Sequence, residues 1–248
     1  AGRLDRAVEF LSDEETLQNR EKDNVGLTRP EISIVLPYSK LWLYDVILES
    51  NLPDVQELQQ DLIEYFPTNL RKTYRRDILR HCLRREIIAT IVTNSLINRV
   101  GGIFVASLNE KSGASPVEIA KAFIATRDAF GLEEIWAGIE ALDNKVTADT
   151  QIAMLKDVNQ LIERATLWFL RNTQQPMDIG DNIKEFAASI RTLAGKIESI
   201  LPDGVTDRVN FRANRYVLAG VPKELAKQVV YLLLLVSSLD IVRTAASC

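Results

Sequence analysis

The residue types that metal and redox sites depend on are scarce in this sequence of 248 residues. It contains one histidine, His81, and two cysteines, Cys82 and Cys248, which lie far apart and fit no metal-ligand spacing. We therefore expect neither a zinc site nor a disulfide framework. This cysteine usage favours a reducing compartment, which we take to be the cytoplasm.

Motifs for catalysis and nucleotide binding are also missing. The sequence has no glycine-rich strand-to-helix loop, no nucleophile elbow around a serine and no HExxH motif. We interpret His81 as a helix-start or packing residue rather than a general base. The paired carboxylates Glu133 and Glu134 fall in the first turn of a predicted helix, where the helix dipole favours them without a catalytic role. The residues thus predict no catalytic, cofactor-binding or metal-binding site in this chain.

The chain also lacks a basic excess and an apolar segment of membrane length. Its net charge of −4 and pI near 5.3 argue against a general nucleic-acid binder. The most apolar run, residues 229–236, is much shorter than the roughly 20 residues that a transmembrane helix needs. We therefore expect no nucleic-acid partner and no membrane, and we assign this run to a protein core.

Helical periodicity is what the sequence does contain, most clearly in residues 81–105. Here a basic start leads into a long apolar-periodic run, and Gly101 and Gly102 end it because a left-handed C-cap favours glycine. We predict a central helix whose Thr90 and Thr93 point away from the core. Its predicted buried face consists of Ile87, Ile88, Ile91, Val92, Ser95, Leu96 and Arg99.

Local signals mark several further helix ends. Thr28 with Glu31, and Ser115 with Glu118, have the spacing of N-terminal capping residues, and each pair brackets a proline in the first helical turn. Pro37 is expected to kink or break the first of these helices. No period-2 alternation bounded by hairpin turns occurs. The fold class predicted is therefore all-α, an irregular multi-helix bundle in one domain or two packed subdomains.

Composition predicts three segments. Residues 1–27 are a charged connector from a region upstream, residues 28–172 form one helical subdomain, and residues 178–248 form a second. Within the last, residues 179–200 carry three heptads of an apolar seam. The partner of this seam is either an antiparallel helix of the same chain or another molecule.

The C-terminal segment raises a separate expectation. The helix that begins near Pro222 is apolar almost all round, yet the chain stops soon afterwards. We therefore expect the second subdomain to be truncated at its C-terminal end. The uncovered apolar patch would involve some of Val230, Leu233, Leu234, Ile241 and Val242.

Residues 71–85 are strongly basic, with seven lysines and arginines against one acid, Asp77. If the stretch is one helix, Lys72, Arg76, Arg80 and Arg84 form an i+4 stripe. Arg76, Arg80 and Arg84 are then a candidate docking surface for an acidic partner or an anionic ligand. The alternative is a solvated face that nearby carboxylates neutralise.

Several motifs, in order, resemble the C-terminal part of the large bacterial NAD-specific glutamate dehydrogenases. They are GLTRPEISIVLPYSK, YFPTNL, HCLRREIIAT, NSLINRVGGIFV, GASPVEIAKAF, IEALDNKV and ERATLWFLRN. The resemblance implies a parent enzyme that oxidatively deaminates L-glutamate to 2-oxoglutarate and ammonia with NAD. It also implies a very long, homo-oligomeric polypeptide whose catalytic residues and dinucleotide loop lie upstream, so that no site residue or cofactor is carried over to this chain.

Two functions remain open on these grounds. The first is a non-catalytic helical module of such a dehydrogenase, in contact with the catalytic and N-terminal regions of the same polypeptide or with another subunit. The second is an independent helical adaptor that binds an acidic partner or peptide through residues 71–85.

Overall fold

The computed structural model describes residues 12–246, apart from the side chains of residues 34–36, 242, 245 and 246. Helices account for 81% of the described residues, and none of these residues lies in a β-strand. The all-α prediction is therefore confirmed. The chain divides into two compact units, residues 1–103 and residues 104–248.

The described part of the first unit consists of α-helices and two short 3-10 turns. The turns are Leu52–Asp54 and Gln56–Leu58. The helices are α1 Glu14–Lys22, α2 Arg29–Glu49, α3 Gln59–Tyr65, α4 Thr68–Thr73, α5 Arg75–Leu79 and α6 Arg84–Val100.

The helices of the second unit begin with α7, which starts at the junction between the units. They are α7 Gly102–Ser112, α8 Pro116–Ala129, α9 Leu132–Glu140, α10 Ala148–Asn172, α11 Ile179–Ile200, α12 Asp203–Leu218, α13 Lys223–Ser237 and α14 Leu239–Ala246. Among residues 12–246, no helix taken singly has both the length and the apolar character to cross a bilayer. The bent pair of α6 and α7 meets these criteria only when both helices are counted together.

The predicted capping signals form, but Pro37 does not end α2. The Thr28 N–H donates to the Glu31 carboxylate at 2.7 Å, directly before α2 begins. The helix then runs on through Pro37 to its end at Glu49. Beyond the proline, Leu43 and Ile47 are fully buried. Two such side chains contribute about 3–6 kcal/mol, which offsets the roughly 3 kcal/mol that an interior proline costs.

The core of the first unit lies where α2 and α3 pack on α6. The buried residues of α6 are Ile88, Ala89, Val92, Thr93 and Leu96. Of the predicted face, Ile88, Val92 and Leu96 are buried, whereas Ile87, Ile91, Ser95 and Arg99 are only partly buried. Thr93, which was predicted to point away from the core, is only 1% exposed. Both α2 and α3 cover α6. The buried face of α6 is therefore not the face that its apolar residues alone indicate.

Helix α8 is the centre of the second unit, where it packs against α10 and α11. Every residue from Ile119 to Arg127 is buried, including the charged side chains of Lys121 and Arg127. The Ser115 hydroxyl caps its first turn by accepting from the Glu118 N–H at 3.3 Å, as the sequence predicts.

The apolar seam of α11 is covered from within the chain, by α8, α13 and α14. Its buried members are Ile179, Phe186, Ile190 and Ile197. Phe186 also meets the rings of Trp168 and Phe169 edge-on, with centroids 5.3 and 5.4 Å away. The last seam residue, Ile200, is 59% exposed. These contacts support the intramolecular alternative.

The division between units differs from the one that composition predicts. The structure divides the chain after Ile103, whereas residues 173–178 connect α10 to α11 inside the second unit. The reason is that both helices flanking this segment pack on α8, which precedes it in the chain. Of the predicted connector, residues 14–22 form α1 and residues 1–11 lie outside the described range.

The C-terminal apolar run is largely covered. Val230 is buried, Leu233 and Leu234 are partly buried, and Ile241 is 71% exposed. The side chain of Val242 lies outside the described residues. Val230 is therefore not part of the predicted patch, and Ile241 is the one candidate that is exposed among the described side chains.

Candidate docking surface

The cations of residues 71–85 do not lie on one helix. They are distributed over α4, α5, the residue directly after α5 and the start of α6. The backbone leaves the helical conformation at Tyr74, with φ −111° and ψ 20°, and again at Arg80, with φ −105° and ψ 9°. Each break changes the direction of the side chains that follow, so an i+4 relation does not extend across it. The continuous stripe predicted for Lys72, Arg76, Arg80 and Arg84 is therefore wrong.

Arg84 and Arg85 are engaged by the carboxylate of Asp54. One Arg84 nitrogen lies 3.3 Å from an Asp54 oxygen, and Arg85 contacts the other oxygen. Arg85 also donates to the backbone carbonyls of Leu48 and Ser50 at 2.8 and 2.9 Å. These contacts join the start of α6 to the end of α2 and the turn after it.

Arg71 has a structural role of the same kind. Its guanidinium donates to the carbonyls of Glu64 and Phe66, both at 2.6 Å, and so satisfies acceptors at the C-terminal end of α3. A side chain held in this way closes the corner between α3 and α4. It is therefore not available for a partner.

Four cations of the segment remain exposed without a hydrogen bond or ion pair among residues 12–246. They are Lys72, Arg75, Arg76 and Arg80. Of the three predicted docking residues, Arg76 and Arg80 belong to this set, whereas Arg84 is partly engaged. We call these four residues the basic cluster. It can attract an acidic surface or a bound anion, through contacts that salt weakens.

The composition of the preceding segment explains why part of the basic stretch is neutralised. Residues 41–70 contain six carboxylates and no lysine or arginine. One of them, Asp54, meets Arg84 and Arg85, as the solvated-face alternative predicts. That alternative therefore holds for the C-terminal part of the stretch. The basic cluster consists of the exposed cations that no described carboxylate neutralises.

His81 and Cys82 lie in the turn between α5 and α6. The His81 Nδ1 accepts a hydrogen bond from the Leu83 N–H at 3.1 Å, and its ring packs near that of Phe66, with centroids 5.8 Å apart. The histidine thus shapes the turn before α6. Cys82 is a free, exposed thiol. Within the described range, no group of three or more histidine, cysteine, aspartate or glutamate side chains is arranged to hold a metal ion.

Glu31 makes a network that the sequence predicted only in part. Besides the N–H and hydroxyl of Thr28, its carboxylate accepts from the Ser12 hydroxyl at 2.6 Å and from Arg20 at 2.8 and 3.0 Å. These hydrogen bonds, that from Ser12 first, hold the pKa of Glu31 well below its ordinary value of 4.5. The residue is 4% exposed and fastens the predicted connector to α2.

Two polar networks in the second unit were missed by sequence analysis. Glu118 accepts from the buried Lys121 ammonium at 2.8 Å and from the Met177 N–H at 2.9 Å, so it joins α8 to the residues before α11. Asp157 accepts from the Tyr216 hydroxyl at 2.9 Å. Burial and this acidic partner raise the pKa of Tyr216 to about 12. The pairs Glu118–Met177 and Asp157–Tyr216 are each 59 residues apart in the sequence, so no local signal identifies them.

A family model described as "Glutamate dehydrogenase, C-terminal" matches residues 24–248 of the chain. Similar proteins include the NAD-specific glutamate dehydrogenases of three bacteria. That of Halomonas elongata is 37% identical over 99% of this chain, that of Pseudomonas aeruginosa is 37% identical over 92%, and that of Mycobacterium tuberculosis is 31% identical over 96%. The chain spans only 14–15% of the length of these relatives.

Proposed function

We propose that this chain, which belongs to the glutamate dehydrogenase C-terminal family, is a non-catalytic helical module of an NAD-specific glutamate dehydrogenase. In this proposal the whole enzyme oxidatively deaminates L-glutamate to 2-oxoglutarate and ammonia with NAD, as a step of glutamate catabolism. The module contributes packing, oligomerisation or regulation.

One observation carries the proposal. The relatives match nearly the whole chain, bear the name NAD-specific glutamate dehydrogenase, and extend over several times its length. A helical segment that recurs as a small part of a long enzyme is expected to contact the remainder of that polypeptide or another subunit. Its partners in this proposal are therefore the catalytic and N-terminal regions, in a homo-oligomer.

The cytoplasm is the compartment we propose for this enzyme. The support is chemical, since Cys82 is a free and exposed thiol, which fits a reducing compartment.

The test of the module is a deletion in a whole enzyme. In the Pseudomonas aeruginosa relative, removal of the region that matches this chain is expected to change the number of subunits in the assembly or the kinetics of glutamate oxidation. Sedimentation and a steady-state assay measure these. An unchanged number of subunits together with unchanged kinetics would contradict a role in packing, oligomerisation or regulation.

A second measurement tests the non-catalytic assignment. The 248-residue chain alone is expected to oxidise no glutamate and to give no saturable isotherm when titrated with NAD. A saturable NAD isotherm would overturn this part of the proposal, and the deletion experiment would remain informative about assembly.

The basic cluster is the docking surface that we propose for the module, with Arg76 and Arg80 as its central residues. The support is that its cations are exposed and have no partner among the described residues. Reversal of both charges, in the variant Arg76→Glu/Arg80→Glu, should leave the fold intact and weaken assembly at low salt. The matched control is Lys196→Glu/Arg208→Glu, which reverses two exposed charges in the second unit.

The same cluster keeps the adaptor function open as a second candidate. An adaptor would bind a separate acidic peptide, and the double reversal would abolish that binding without any effect on glutamate oxidation. Weakened assembly of the dehydrogenase in the Arg76→Glu/Arg80→Glu variant favours the module instead.

A further inference from the structure

A cavity of about 410 Å³ lies in the first unit, where α2 packs on α6. It is lined by Lys40, Leu41 and Tyr44 from α2 and by Thr90, Thr93 and Asn94 from α6. Pro37 also borders it, and a proline inside a helix cannot donate to the carbonyl four residues back and distorts the helix there. The volume is within the range of small-molecule sites in proteins.

Thr93 supplies the observation that points to a ligand. It is 1% exposed, and its hydroxyl has no hydrogen-bond partner among the described residues. The neighbouring Thr90 shows the ordinary solution for a helical threonine, since its hydroxyl donates to the Glu86 carbonyl at 2.7 Å. A buried hydroxyl without a partner is unfavourable, and a polar atom of a bound molecule would satisfy it.

Other polar groups around the cavity are unpartnered as well. Lys40, Tyr44 and Asn94 have no side-chain hydrogen bond or ion pair within the described part of the chain. Lys40, Thr93 and Asn94 can all donate, whereas Leu41 and the proline offer apolar surface. This combination is typical of a site for a molecule with an apolar body and a polar head.

The charges around the cavity select the sign of that head. Lys40 is the cation among the lining residues. Burial, followed by the charges of Glu86 and Asp45, raises the pKa of Tyr44, so the surroundings of the tyrosine are negative. An anionic head is therefore favoured beside Lys40 and disfavoured beside Tyr44.

We propose that this cavity binds a small amphipathic carboxylate. The carboxylate accepts hydrogen bonds from the Lys40 ammonium and the Thr93 hydroxyl, and the hydrocarbon chain lies against Leu41 and Pro37. The site belongs to the first unit and does not depend on the function proposed above.

Three probes of one chain length test this assignment on the 248-residue chain. Octanoate has the anionic head, octan-1-ol has a neutral head and octylammonium has a cationic head. In calorimetric titrations we expect octanoate to bind saturably at one site and the alcohol to bind about tenfold or more weakly, because it loses the charge-assisted bond. Octylammonium should not bind. Equal affinity for octanoate and octan-1-ol, or no saturable binding of octanoate, would overturn the proposal.

Two variants locate the binding. Lys40→Met keeps the apolar stem and should reduce octanoate affinity about tenfold while leaving octan-1-ol unchanged. Thr93→Val keeps the shape and should weaken octanoate binding without loss of helix content. The matched control is Lys22→Met, which removes an exposed lysine of the same unit without an ion pair among the described residues and outside the basic cluster, and it should leave both affinities unchanged. Octanoate binding that tolerates both Lys40→Met and Thr93→Val would show that the probe binds elsewhere and would refute the site.

Discussion

Replacement of Thr93 by valine should stabilise the first unit. The hydroxyl is buried and unpartnered within the described residues, so folding removes it from water without giving a hydrogen bond in return. Valine has almost the same shape and the same branching at Cβ, and its helix propensity is similar. The substitution therefore changes the polar group and little else.

The magnitude follows from the desolvation of the hydroxyl. A buried donor or acceptor without a partner costs about 1–3 kcal/mol. We expect Thr93→Val to gain about 1–2 kcal/mol in the free energy of unfolding. Thr90→Val is the matched control, because Thr90 lies on the preceding turn of α6. Its hydroxyl donates to the Glu86 carbonyl, so its replacement should lose about 0.5–1.5 kcal/mol or be neutral.

Urea unfolding followed by far-ultraviolet circular dichroism measures both changes. If the two units unfold in separate transitions, the transition of the first unit is the one to compare. If that unit of about 100 residues unfolds separately, its Tm should rise by about 4–8 °C for each kcal/mol gained. A Thr93→Val chain less stable than the parent would show that the hydroxyl has a partner, and would also remove the main argument for the ligand site.

Three further predictions follow from the networks and the core. Glu31→Gln should lower the free energy of unfolding at pH 7. The difference from the parent should shrink as pH falls below 4.5, because a carboxylate with a depressed pKa stabilises the fold only while it is ionised; urea unfolding at several pH values measures this. Tyr216, whose pKa is raised from 10.0 to about 12, should contribute stability that is complete below pH 10 and is lost as pH rises through 12. Tyr216→Phe should lose about 1 kcal/mol at neutral pH through the bond to Asp157, and should lack this alkaline loss in unfolding measurements. Phe186→Ala should cost about 3–5 kcal/mol, whereas Ile200→Ala on the same seam should cost under about 0.5 kcal/mol, and thermal unfolding distinguishes them.

Features set by neighbouring residues were predictable from the sequence. The cap at Thr28, the cap at Ser115 and the helix end at Gly101 each depend on a short pattern, and each forms. The double glycine also coincides with the junction of the two units, but glycine signals a helix end without showing which helices pack together. Only long-range contacts distinguish a turn within a unit from a boundary between units.

Features set by tertiary contacts were not predictable in this way. The basic stretch has the composition of one helix, yet the helix breaks at Tyr74. Just before this break, Arg71 donates to the carbonyls of Glu64 and Phe66 and closes the corner between α3 and α4. The burial of Thr93 likewise depends on the helices that cover α6, and not on its own type. For the candidate docking surface, the sequence identified the basic segment, but it could not show which of its cations remain unpaired.

The arrangement of charges limits what the basic cluster can do in docking. An exposed ion pair contributes about 0.2–1 kcal/mol, so four cations supply at most about 4 kcal/mol, whereas micromolar affinity needs about 8 kcal/mol. Charge alone is therefore insufficient. The same segment exposes Tyr74 by 51% and Leu83 by 52%, which gives apolar surface beside the cations. In a docked module the apolar side chains would provide most of the affinity, and the cations would determine the orientation, the association rate and the dependence on salt.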